Sequence, residues 1–114
     1  MNREADWVRQ NLFNGKGAVS IWNLLGTKAA SPFTAALWCH LEPKGSVGSH
    51  RQQDYPELIL AVQGQGEIRI DGTVSPFVEG SLFYLPLGSV LALRNTSAKA
   101  PLAYVIIKAT STKS

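Results

Sequence analysis

Leu58-Ile59-Leu60-Ala61-Val62, then Gly64-Gln65-Gly66, then Glu67-Ile68-Arg69-Ile70, Asp71-Gly72 and Thr73-Val74 form the stretch, running on to Phe77, that decides the fold class. An apolar run of strand length stops at a glycine pair, and an alternating polar/apolar segment follows. Asp-Gly between alternating segments is a strong hairpin signal, because the two-residue turn that matches strand twist needs residues tolerant of positive φ. The stretch predicts a three-strand meander. Five apolar residues in succession cannot form a half-exposed strand, since side chains alternate between the two faces, so both faces of this strand are expected to be covered.

The same rhythm continues in both directions. Strands are expected at Val19 to Leu25, Phe33 to Leu41, Leu82 to Leu85, Val90 to Arg94 and Leu102 to Lys108, broken by Gly, Pro, Asn and Asp about every ten residues. Leu102 to Ile107 also carries no charge and asks for cover on both sides. Eight or nine short strands with almost no helix predict an all-β antiparallel sandwich or barrel. Before Phe13 the pattern is weak, and an arm or a single helical turn packed on the body is expected. With 114 residues, 45% hydrophobic and 17% charged, the chain has material for one compact core and for an outer face covered by a second subunit. A homodimer is the expectation.

Composition also excludes. The net charge of +3 comes from basic and acidic residues scattered along the chain, with no basic stripe, so a nucleic-acid partner is not expected. No apolar run reaches the length of a membrane helix and the amino terminus is polar, which predicts a soluble, cytoplasmic protein with no membrane partner. A lone cysteine, Cys39, rules out an intrachain disulfide or a CxxC pair. It lies out of phase with Trp38 and His40 and is expected to be buried. The two histidines, His40 and His50, are too few for a three-histidine metal site within one chain.

Two spaced patterns carry more. The first is Gly45-Ser46-Val47-Gly48-Ser49-His50-Arg51-Gln52-Gln53-Asp54-Tyr55-Pro56-Glu57, followed by Gly64; the second places Gly80, Pro86, Gly88, Leu91 and Asn95 at fixed intervals. Their spacing resembles the two sequence motifs of the cupin superfamily. The resemblance implies an antiparallel double-stranded β-helix, a jelly-roll barrel, as a single domain over 1–114. With the motifs at 45–64 and 80–95, the residues on either side are expected to form an N-terminal arm over 1–16 and a polar, mobile tail over 109–114. In the family, two histidines and a glutamate of the first motif and a histidine of the second hold a metal. Here those positions are His50, Gln52, Glu57 and Leu91, a degraded set.

His50 and Gln52, two apart on a strand, point the same way, and Glu57 can reach that side from the next strand. Leucine offers no lone pair and glutamine a neutral carbonyl, so zinc, nickel or copper would bind poorly. Any cofactor is expected to be absent, or a loosely held Mn or Fe on His50, Gln52 and Glu57. The expectation is a cupin that binds a small molecule in its barrel with weak or no metal dependence, using His50, Gln52, Glu57, Leu91, Trp38, His40, Tyr55 and Tyr84 as candidate pocket residues. Alternatives are an Mn/Fe-dependent oxygenase or isomerase using His50 and Glu57, or a dimeric structural module with a filled cavity. A metal-free acid/base use, with Glu57 orienting His50 and Tyr55 or Tyr84 as acid, is implied by epimerases of the same superfamily.

Overall fold

The computed structural model describes residues 1–110. Ten strands follow one another: β1 (Trp7–Gln10), β2 (Ala18–Asn23), β3 (Phe33–Leu41), β4 (Ser46–Arg51), β5 (Glu57–Gln63), β6 (Gln65–Ile70), β7 (Thr73–Val78), β8 (Leu82–Leu85), β9 (Val90–Asn95) and β10 (Leu102–Ala109). They form two antiparallel sheets, one in the order β1-β2-β3-β10-β5-β8 and one in the order β4-β9-β6-β7. Between the sheets Leu41, Ile59, Leu85 and Leu102 of the larger meet Ile68, Phe77 and Leu93 of the smaller, all essentially without solvent contact. Among the described residues no helix is long and apolar enough to cross a membrane.

The Asp71-Gly72 turn forms as its residue types dictate. Both take positive φ, 49° and 86°, and Ile70 pairs with Thr73 across them, a type I′ hairpin. The three-strand meander does not form. β5 pairs with β10 and β8 in the larger sheet, while β6 pairs with β7 and β9 in the smaller, so the chain changes sheets at Gly64. One residue cannot reverse a strand into a hairpin. Gly64, at φ 104°, instead turns the corner close under Pro101 and Leu102, where an added Cβ would lie 2.7 Å from the Pro101 carbonyl oxygen.

The amino-terminal segment is a strand rather than a helical turn. β1 extends the larger sheet by pairing with β2, and a 3-10 turn over Leu12–Asn14 follows. Asn11, Phe13 and Asn14 all take left-handed φ there, which folds the turn back over β4. Gly48 makes that approach possible, because a side chain in its place would overlap the Phe13 carbonyl. Of the expected tail, Ala109 ends β10 and the Thr110 N–H donates to Pro32 C=O at 2.6 Å, while 111–114 lie outside the described residues.

Asn95 ends β9 and is almost fully buried. Its Nδ2 donates to the carbonyls of Leu41, Glu42 and Ala100 at 3.1, 3.1 and 2.9 Å, and its Oδ1 accepts the Ser97 N–H at 2.9 Å. The side chain thereby ties the end of β3 and the turn after it to the β9–β10 connection. The motif asparagine is a structural staple.

Candidate functional site

At one end of the sandwich the sheets part around a cavity of about 490 Å³. Ile21, Leu37, Ile59, Leu93 and Ile106 give it apolar walls, and Arg51, Gln53, Asp54 and Tyr55, all exposed, stand at its rim. His50, Gln52, Glu57, Leu91 and Tyr55 line it together. Trp38, His40 and Tyr84 do not. Their strands turn them to the outer face of the larger sheet, where Trp38 Nε1–H donates to His40 Nε2 at 2.9 Å and Tyr84 stands largely in solvent beside Leu58. Cys39 faces inward opposite Tyr104, and burial pushes its thiol up to about 12, which leaves it protonated and unreactive at neutral pH.

His50 sits on β4 opposite Leu91 of β9, just after the register breaks between Val47 and His50. Its Nδ1 lies 3.1 Å from the Gly48 carbonyl. A carbonyl only accepts, so Nδ1 carries the proton and Nε2 the lone pair. Glu57 does not orient this ring; the backbone of the bulge does. Phe13 stacks on the imidazole at 4.0 Å and 11°, and burial lowers the pKa below the usual histidine value. Replacing Phe13 by alanine uncovers one ring face, so the His50 pKa measured by NMR titration will move up toward 6.5, with a loss of about 1 kcal/mol in stability.

Gln52 follows β4 and is pinned by its backbone: its N–H donates to Ser89 C=O at 2.9 Å and its C=O accepts from Gly88 N–H at 2.8 Å. The side chain is 7% exposed, and Nε2 has no hydrogen-bond partner. Glu57 opens β5, flanked by Leu85 of β8 and Lys108 of β10. Burial holds its carboxyl above the usual carboxylate range; the Lys108 ammonium, 3.9 Å from Oε2, and the nearby Gln52 amide pull it partly back.

The raised Glu57 pKa carries a sign. Below its ordinary value of 4.5 the carboxyl is protonated whether the chain is folded or not; as pH rises through that value the unfolded chain ionises first, and folding loses stability. Glu57→Gln will therefore raise the urea midpoint at pH 7 relative to the parent chain, and the gain will vanish below pH 4.5.

Among the lining residues that the sequence reading did not propose are Phe13, Thr34 and Lys108. Lys108 was accessible, since it continues the inward phase of Tyr104 and Ile106 along β10 and is the one charge on that face. Nothing local marks Thr34 or Phe13.

The donors do not fit the metal implied by the motif spacing. Leu91, 3% exposed, puts carbon opposite His50, Gln52 supplies a neutral amide, and the Lys108 ammonium already sits against Glu57 where a cation would need the carboxylate. Among the described residues no group of three or more His, Cys, Asp or Glu is placed to hold a metal ion.

Residues 37–108 match the family described as the cupin domain, and the chain belongs to that family. Among solved structures it resembles a predicted oxalate decarboxylase from Thermotoga maritima, with TM-score 0.84 and 20% identity over 96% of this chain and 95% of that one. It is also similar to a Cupin 2 conserved barrel domain protein from Salinispora arenicola, with TM-score 0.69 and 26% identity over 94% and 87%. A sugar phosphate isomerase of the cupin superfamily from Silicibacter pomeroyi matches with TM-score 0.68 and 18% identity over 82% of this chain and 60% of that one. No curated protein matches the chain.

Proposed function

We propose that this cupin binds a small, largely apolar molecule inside the barrel without needing a metal. The observation that carries the reading is the cavity of about 490 Å³, a ligand-sized space whose polar groups gather at His50, Gln52, Glu57 and Lys108 while its walls are aliphatic. The alternative, an Mn- or Fe-dependent oxygenase or isomerase built on His50 and Glu57, is opposed by Lys108, whose positive charge would face the ion. The sugar phosphate isomerase likeness adds little weight to that alternative, because an aliphatic wall suits neither a sugar nor a phosphate. A neutral naphthyl ketone, 2-acetylnaphthalene, titrated into the protein will bind one per chain, equally well before and after EDTA treatment. Leu37→Trp, which fills the wall, will abolish binding. Absence of binding by the parent chain, or binding lost with EDTA, overturns the reading.

We further propose that two copies pair through the outer face of the larger sheet. The outward positions of β3, β5, β8 and β10 carry no Asp, Glu, Lys or Arg, and Leu58, Leu60, Leu82 and Tyr84 are 37–62% exposed. β1 extends the sheet edge, and the segment before it lies over Trp22 of β2, whose Nε1–H donates to the Arg3 C=O at 2.8 Å, at the other side of this face. Sedimentation of the parent chain as a dimer, and of Leu58→Lys/Leu60→Lys as a monomer, is the expected result; a monomeric parent refutes it.

A further inference from the structure

The buried end of the cavity has a hydrogen-bond account that does not close. Among the described residues, the buried side-chain polar atoms with no hydrogen-bond partner are Gln52 Nε2 and Thr34 Oγ1, and both residues line this cavity. An unsatisfied buried donor is costly, and such groups are rare in folded proteins unless something else supplies the partner. Gln52 is more than nine-tenths buried, its backbone is bonded on both sides to the Gly88–Ser89 loop, and the neighbouring Glu57 carboxylate lies beyond hydrogen-bond distance of Nε2. An amide N–H₂ only donates, so its partner must bring an acceptor.

The charges narrow the class. Glu57 and Lys108 face each other at 3.9 Å, so the floor holds one negative and one positive group. An incoming anion would meet the buried Glu57 carboxylate, and an incoming cation the Lys108 ammonium; each would add an unbalanced charge to a poorly solvated end. His50, neutral and stacked under Phe13, adds none. The aliphatic walls then ask for a carbon body.

Taking the cavity to be a ligand site, as proposed above, we infer that its ligand is an uncharged apolar compound whose carbonyl oxygen accepts a hydrogen bond from Gln52 Nε2. A carbonyl has two lone pairs and no proton of its own to place, which suits an end whose unpaired groups include an amide and a hydroxyl. Gln52 is thus a specificity-determining residue at the position where a metal ligand would stand in other cupins.

Three probes of one shape separate body from head group: 2-acetylnaphthalene, 2-ethylnaphthalene and 2-naphthoate, titrated at pH 7.5 and followed by fluorescence and calorimetry. The parent chain is expected to bind the ketone about fivefold tighter than the hydrocarbon, one net hydrogen bond, and the carboxylate about tenfold weaker than the ketone. Gln52→Met, close in volume, is expected to erase the preference for ketone over hydrocarbon and leave hydrocarbon affinity unchanged. Glu57→Gln is expected to improve naphthoate binding while leaving the ketone within twofold. A carboxylate that binds the parent as tightly as the ketone overturns the inference. So does Gln52→Met weakening ketone and hydrocarbon alike, which would make Gln52 part of the wall, or changing neither, which would assign its amide to a resident water. In each of those cases hydrocarbon binding by the parent chain leaves the ligand site itself standing; failure of all three probes removes the site and the inference together.

Discussion

Asn95→Leu will lower the free energy of unfolding by about 3–5 kcal/mol, enough to remove much of the stability of a domain this size. Leucine keeps the branched outline of asparagine but is larger, so at this buried site a packing penalty adds to the lost hydrogen bonds. The carbonyls of Leu41, Glu42 and Ala100 and the Ser97 N–H would all be left without the partner they now have. They lie at a junction where the amide side chain is the one group tying β3, the turn after it and the β9–β10 connection together, and networks of this kind lose more than pairwise deletions suggest. Urea unfolding followed by tryptophan fluorescence measures it. Asn95→Asp will also destabilise, because a carboxylate would direct negative charge at three carbonyl oxygens. A loss below 1 kcal/mol for the leucine variant would show that the staple contributes little.

The second large effect is a gain. Gln52→His, Leu91→His and Lys108→Met together will give the chain a site that takes up a single zinc or nickel ion with sub-micromolar affinity. The variant would gather imidazoles at positions 50, 52 and 91 with the Glu57 carboxylate, a donor set suited to those ions. Positions 50 and 91 already pair across β4 and β9, and Gln52 is held by the Gly88–Ser89 backbone. The Gly48 carbonyl keeps the proton on His50 Nδ1, leaving Nε2 for coordination. The Lys108 change removes the ammonium that now neutralises Glu57. With metal at about a thousand times Kd the variant gains about 4 kcal/mol, a rise in unfolding midpoint on the order of 15 °C. A folded triple variant, purified without a tag, that shows neither metal uptake nor a thermal shift would mean that these four positions do not converge closely enough to share one ion.

Parts of this architecture are legible locally and parts are not. The Asp71-Gly72 turn is set by the backbone demands of two residues and can be read without tertiary knowledge; the five apolar residues of β5 predict cover on both faces, whereas Leu58 and Leu60 on its outer face stand exposed. The spacing of His50, Gln52, Glu57 and Leu91 brings them to one cavity because it encodes strand lengths and turns of the family fold. Whether β5 and β6 share a sheet is different: it depends on which strands compete for β5, and β10, far along the chain, wins that place. The direction of His40 follows from the same competition. Its phase with Trp38 is visible, but only the position of β3 between β2 and β10 decides which phase faces out. Phe13 covers His50 because three non-glycine residues adopt left-handed conformations beside Gly48, a tertiary arrangement without a local sequence cue.

The place of β10 has a consequence for how the chain reaches this state. The final strand lies in the middle of the larger sheet, bonded on one side to β3 and on the other to β5. Neither neighbour can find its native partner on that side until β10 has been made, so closure of the larger sheet waits on pairings distant in sequence and is slow in the manner of other topologies rich in them. Until β10 docks, the edges of β3 and β5 that it covers are open to other chains, which makes the interval before it pairs the time of greatest risk from aggregation.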